Sequence, residues 1–234
     1  MSADYYSRLE RGHGPQPSEK MVTAIADGLR LTLDQRDHLF LLAGYKAPVR
    51  DLPDDHVNPG VIRILRCLED TPALVMSASG EVLLQTPLAV ALYGDRTGCK
   101  GLERNMTYRW FTEPTDRERF EPAEWELHGR VHAAALRKAV ARAGEKSAAW
   151  TLAERLRWES AEFAKFWSDH EVGITYPGEK CFIHPKVGRL TLEFQTLLDP
   201  DQSQRLLVFT ARPGTEDHEK LEALNQLSNE TATV

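Results

Sequence analysis

Along the first forty-five positions, apolar residues recur at three- and four-residue steps, the spacing of one helix face. Ser2 is a good N-cap, and Ala3, Tyr6 and Leu9 form an inward stripe that Gly12 and Gly14 end. Asp4, Tyr5, Ser7, Arg8 and Arg11 are left facing outward. A second helix opens at Pro17-Ser18 with Met21, Val22, Ile25 and Leu29 as its apolar stripe. A third starts at Asp34, uses Leu39, Phe40 and Leu42, and stops at Gly44. Lys46 to Pro59 (KAPVRDLPDDHVNP) holds three prolines and five charges, which predicts a linker and a domain boundary.

The period then changes. Gly60 to Leu68 reads as a short amphipathic helix, and Pro72 to Thr86 (PALVMSASGEVLLQT) as two strands around a Ser-Ala-Ser-Gly turn. Pro87 to Tyr93 predicts a helical turn opening at its own proline. Residues 102–170 carry helical spacing and all five tryptophans. Alternation returns at Lys180 to His184, at Gly188 to Leu197 (Leu190, Leu192 and Phe194 on one face) and at Arg205 to Ala211 (Leu207 and Phe209). This order predicts an α+β fold: an all-α head at 1–45, a linker at 46–59, and a body at 60–214. In the body, a five-stranded antiparallel sheet would carry helices on one face and line a cavity with them. A charged tail, 215–234, holds at most one helix. There is no internal repeat.

Composition narrows the class. With 234 residues, 41% hydrophobic and 27% charged, the chain is globular in make, and no window reaches the ~20 apolar residues of a membrane span. The polar start is not a signal peptide, and Cys67, Cys99 and Cys181 are odd in number and far apart, as in a reduced, cytoplasmic protein. Net charge is −6, yet residues 1–50 carry seven basic against six acidic residues. A near-neutral head leaves DNA contact open, because a few phosphate contacts suffice for positioning.

Catalytic and metal signatures are sparse. Cys181 and His184 stand three apart on a predicted strand, hence on opposite faces, so they do not make a zinc pair. His128 and His132 share one helix face but lack a neighbouring glutamate and a third ligand, and read as a surface pair. There is no Gly-x-Ser-x-Gly, His-Glu-x-x-His or phosphate-binding loop. No cofactor, no metal and no catalytic residue are expected. The aromatic residues of the helical region read as core, with some left to line a pocket.

The segment DYYSRLERGHGPQPSEKMVTAIADGLRLTLDQRDHLFLLAG resembles the later part of an XRE-type helix-turn-helix domain. TPALVMSASGEVLLQTPLAVAL, ERNMTYRWFTEP, SAEFAKFWSDHEV, KCFIHPKVGRLTLEF and QRLLVFTARPG resemble the ligand-binding domain of MmyB-like transcription regulators, in that family's order. The resemblance implies a PAS-like sensor of a small molecule, fatty acids above all, in a cytoplasmic, dimeric, DNA-binding regulator. Two departures stand out. Gln85-Thr86 replaces a Trp-Asn common in the family, and an XRE-type head has two further helices before the position of Ser2. Arg8, Tyr5 and Ser7, with Asp4 and Arg11, are the candidate DNA contacts. Without bracing helices this chain is expected to bind DNA weakly or not at all.

A fatty acid needs apolar walls, worth about 0.8 kcal/mol per buried methylene, and a partner for its carboxylate. Arg63 and Asn105 are candidate anchors; the other readings, a surface arginine and a helix-capping asparagine, stay open. Leu74, Met76, Leu84, Phe111, Phe182, Leu192, Phe194 and Phe209 are the candidate walls. The rivals are a stand-alone ligand- or partner-binding module without DNA binding and, more distantly, an enzyme acting on a lipid or another small molecule.

Overall fold

The alternating stretches come together as a single sheet. The computed structural model describes residues 3–11, 15–48, 57–199 and 203–232. The chain divides into two units, Met1–Asp51 and Leu52–Val234. The middle of the expected linker, residues 49–56, lies outside the described residues.

In the first unit, α1 (Ala3–Glu10), α2 (Glu19–Gly28) and α3 (Leu33–Leu42) follow the predicted order. Val22 and Ala26 of α2 and Phe40 of α3 are buried, the apolar stripe closing on itself. Thr32 and Gln35 form a reciprocal capping box that sets the start of α3. The Tyr45 hydroxyl donates to the Pro17 carbonyl at 3.0 Å and ties the end of the unit to the start of α2. Leu29 and Leu42, expected in the stripes, are 54% and 73% exposed. Leu29 falls just past the last turn of α2, and Leu42 sits at the final position of α3, where the helix face no longer meets its neighbour.

The second unit opens with α4 (Pro59–Arg66), then β1 (Ala73–Ser77), β2 (Val82–Gln85) and α5 (Pro87–Tyr93). The helical layer follows: α6 (Met106–Thr112), α7 (Pro114–Arg117), α8 (Trp125–Ala143), α9 (Ala148–Glu159) and α10 (Ala161–Ser168). It closes with β3 (Glu179–His184), β4 (Gly188–Leu198), β5 (Gln204–Thr210) and α11 (Glu216–Ala232). The five strands are antiparallel in the order β2-β1-β5-β4-β3. The α+β class read from the sequence is therefore the observed one.

Period two sorts side chains between the faces. Leu74, Met76, Val82, Phe182, Leu190, Leu192 and Phe209 join the helical layer in the main core. Ala73, Val75, Leu83 and Leu206 make a second core with Leu65 of α4. Helices thus cover both faces, not one: the stripe of α4 closes the outer face over β1 and β5. β1, buried along its whole length, reads as a continuous apolar run for that reason. In the helical layer, Gly129 lets α8 come close to its neighbours. A Cβ there would lie 2.7 Å from Cε2 of Phe166.

Polar groups pin the corners. The Thr86 hydroxyl donates to Thr71 O at 2.7 Å and accepts from the amides of Ala73 (3.0 Å) and Ala89 (3.3 Å), joining β1, β2 and α5. Gln85 accepts from the Arg96 amide at 2.7 Å and donates to Gly94 O at 3.2 Å. Asp116 on α7 receives Arg96 at 2.9 Å and a two-pronged bond from Arg109 at 2.9 and 3.0 Å. Burial alone would raise the Asp116 carboxyl. The Arg109 bond and the Arg96 charge outweigh burial and hold the carboxyl below the usual range.

Removing the carboxylate strands two buried cations. Asp116→Ala is expected to cost about 3–5 kcal/mol in urea denaturation at pH 7. The Asp116 contribution is present above its unfolded pKa and lost as pH falls through the lower folded one. Asp116→Asn should therefore show a shallower loss of stability than wild type below about pH 4.

Candidate ligand-binding site

The apolar alternation of two strands runs on into charged residues. On β3, Lys180 shares the inner face with Phe182, and on β5, Arg205 precedes Leu207 and Phe209 at period two. Lys180 is only 7% exposed. Its ammonium nitrogen lies 3.8 Å from the centroid of the Tyr176 ring, with Phe194 at 5.7 Å and Phe120 at 5.8 Å. Among the described residues it has no hydrogen bond and no ion pair. Burial, helped by the Arg205 charge, pushes its pKa down to about 7.

The surroundings are neutral. The Tyr176 hydroxyl is 3.0 Å from Nδ1 of His128, and burial raises the phenol further above its ordinary value. The Nε2 atom of His128 faces Glu124 at 3.7 Å. Burial and the Lys180 charge push His128 to about 3. His132, whose Nδ1 is 3.2 Å from the Thr107 hydroxyl, is held well below its usual value chiefly by burial. Trp110 stacks on both imidazoles, with centroids 5.0 and 5.5 Å away. The two histidines are thus not the surface pair of the sequence reading. Their face of α8 carries Gly129, Ala133 and Leu136 and turns inward. Among the described residues no cluster of potential metal ligands occurs.

Arg205 is half-buried on the same face of the sheet as Lys180. Its guanidinium lies 3.6 Å from where a Cβ on Gly80 would stand, and Gly80, at φ +96°, makes the β1–β2 turn. Burial lowers the Arg205 pKa, with Tyr176 opposing. Beside it, a cavity of about 100 Å³ lies between α8 and the sheet, lined by Ala135, Lys138, Ala139, Arg142 and Leu198. Arg205 Nε, Trp110 Nε1 and the Tyr93 hydroxyl are buried without a hydrogen-bond partner. A polar atom left so is costly in an apolar interior unless something else satisfies it.

The structure sorts the expected wall and anchor residues. Leu74, Met76, Phe182, Leu192, Phe194 and Phe209 share the inner face with Lys180. Phe209 packs edge-on to Phe182 at 5.6 Å, and Phe194 edge-on to Tyr176 at 5.6 Å. Phe111 lies within the helical layer, edge-on to Phe163 at 5.1 Å. Leu84 falls on the outer face. A bulge pairs Val75 with Leu84 but Met76 with Val82, so the alternation slips by one residue.

Neither proposed anchor shares that inner strand face. Arg63 is exposed on α4. Asn105 is buried, but its side chain is spent: Oδ1 accepts from the amides of Thr107 (2.9 Å) and Tyr108 (3.1 Å), and Nδ2 donates to Ser79 O at 2.9 Å. It caps α6 and braces the hairpin. Lys180 and Arg205 were not singled out in the sequence, although extending the alternation outward from Phe182 and Phe209 reaches both. Of the expected DNA contacts, Arg8 and Arg11 are exposed and Ser7 is half-buried, while the side chains of Asp4 and Tyr5 lie outside the described residues. Cys181 and His184 point to opposite faces. Cys181 accepts from Arg189 Nε at 3.0 Å, and His184 uses both ring nitrogens on backbone partners, Ala91 O and Lys186 N.

The inner face of the sheet is therefore aromatic, carries the cations Lys180 and Arg205, and is roofed by helices. A family model of the MmyB-like transcription regulator ligand binding domain matches residues 57–224, and the chain belongs to that family. No curated protein matches the chain. Among the described residues, no helix is long and apolar enough to cross a membrane.

Asn105→Ala removes a cap and a hairpin brace together and is expected to cost about 2 kcal/mol in chemical denaturation. Lys180→Met should act the other way. With a folded pKa of about 7 against 10.5 in the unfolded chain, Lys180 destabilises the empty protein fully below pH 7. The effect fades as pH rises from 7 towards 10.5. Lys180→Met is therefore expected to gain about 2 kcal/mol and a few degrees in Tm at pH 6.5, and less at pH 9.5.

Proposed function

We propose that this chain is the sensing part of a ligand-responsive transcription regulator, and that its effector is a long-chain carboxylate, a fatty acid. The observation that carries the reading is Lys180, a buried ammonium on an aromatic face without a carboxylate partner among the described residues. Arg205 supplies a second cation on that face. A carboxylate head would satisfy both, and its alkyl chain would pack against the apolar inner face of Phe182, Leu192, Phe194 and Phe209 at about 0.8 kcal/mol per buried methylene. These two residues take the anchoring role first sought in Arg63 and Asn105. The cavity beside Arg205, rimmed by Lys138 and Arg142, is a natural entry for an anionic amphiphile.

On this reading the helical unit before residue 52 is the DNA-contacting head of an XRE-type regulator. Exposed Arg8 and Arg11 on and just after α1 serve phosphates or base edges there. The regulator works in the cytoplasm as a homodimer, and the body binds its effector without transforming it.

Titration calorimetry of the delipidated chain with dodecanoate tests the effector. Because the free amine titrates near 7 and a bound carboxylate favours its protonated form, affinity should fall as pH rises. Kd is expected to increase roughly tenfold from pH 6 to pH 8. In Lys180→Met, binding should be weaker by about tenfold or more and flat across that range. Absence of heat and of any Tm shift with dodecanoate would refute the effector class.

A further inference from the structure

A cation waiting for an anion is one use of a buried lysine; a neutral amine waiting for a carbonyl is another. Lys180 combines the two conditions that turn a lysine into a nucleophile: removal from water into an apolar cage, and a second cation, Arg205, on the same face. Nothing among the described residues holds its nitrogen by a hydrogen bond, so the lone pair of the neutral form is not engaged. The ring it rests on belongs to Tyr176, whose hydroxyl is coupled at 3.0 Å to the neutral imidazole of His128. That couple pairs a proton donor with a proton acceptor beside the amine.

We propose that Lys180 is a covalent capture site for long-chain aldehydes, which it holds as a reversible imine against the aromatic inner face of the sheet. The inference rests on reading that face, with the helices over it, as the ligand chamber. The amine lone pair forms the new bond to the aldehyde carbon, and the carbonyl π pair moves to oxygen. That oxygen takes up a proton while the nitrogen loses one, giving a carbinolamine. The nitrogen pair then forms the C=N bond as the hydroxyl, having taken up a proton, leaves as water, and the iminium nitrogen gives its remaining proton back. Amine and aldehyde become imine and water, with no oxidant or reductant. The Tyr176–His128 couple is suited to the proton exchange, and the apolar walls that suit an acyl tail suit an alkyl one. Hydrolysis reverses the capture, as a sensor requires.

The charged and titratable groups that face the amine are Tyr176 before β3, His128 and His132 on α8, Glu124 before α8, and Arg205 on β5. Both imidazoles are already neutral at pH 6, so the amine governs the pH dependence between pH 6 and 9. Capture should strengthen as pH rises through about 7, the reverse of carboxylate binding.

The test is reductive trapping. The full chain is incubated with dodecanal and sodium cyanoborohydride, and the alkylated lysine is located by peptide mapping. Lys180 is expected to be labelled at least about tenfold faster than the exposed Lys138 and Lys186 at pH 7, with dodecanoate competing. Lys180→Arg, which keeps the cation but not the nucleophile, should lose that fast adduct. Labelling of Lys180 no faster than Lys138 overturns the proposal, and mapping of the wild type decides this even if the variant fails to fold. If dodecanoate binds but Lys180 is not labelled, covalent capture alone fails. If neither ligand engages, the reading of the chamber fails with it.

Discussion

Lys180 stands on the inner face of the sheet with its ammonium against the Tyr176 ring, and among the described residues no carboxylate forms an ion pair with it. Desolvation of that one charge organises its surroundings. It helps keep His128 and His132 neutral and leaves ring faces as the nearest favourable contacts. The helical layer keeps the water out. Without α8 and its stacked Trp110, the amine would be an ordinary solvated lysine at the end of an edge strand.

The same domain shows what a buried charge looks like when its role is structural. Asp116 is met by Arg96 and Arg109, each within 3.0 Å, and the cluster joins the exit of α5 to the corner of α6 and α7. There the charges are matched and the geometry is two-pronged. Among the described residues no carboxylate forms an ion pair with Lys180 or Arg205. One fold thus contains both a matched buried charge and unmatched ones.

Much of this was legible in the sequence, through period. Two apolar runs around a turn located β1 and β2, the return of strand period located β3 to β5, and six of the eight candidate wall residues lie on the inner face. Leu84 was lost because a bulge adds one residue to a strand, and nothing in an apolar run such as VLLQ marks which residue is the extra one. Lys180 and Arg205 continued a pattern that was visible, but a charge at the first turn of alternation reads as a solvent-facing strand end. His128 and His132 at i, i+4 fixed a common face, not its direction. The direction came from the small neighbours Gly129 and Ala133, which permit close packing. Asn105 shows the opposite case, since an Asn before a helix is a cap by local chemistry alone.

The stacking of Trp110 gives the molecule an optical consequence. Trp110, 3% exposed between two heterocycles, should emit at the blue edge of the fluorescence spectrum, where few water dipoles relax around the excited indole. Trp158, 91% exposed on α9, should emit at the red edge and be open to iodide. The interior and the surface of the domain therefore carry separate colours, and the light from within comes from the ring that touches both imidazoles.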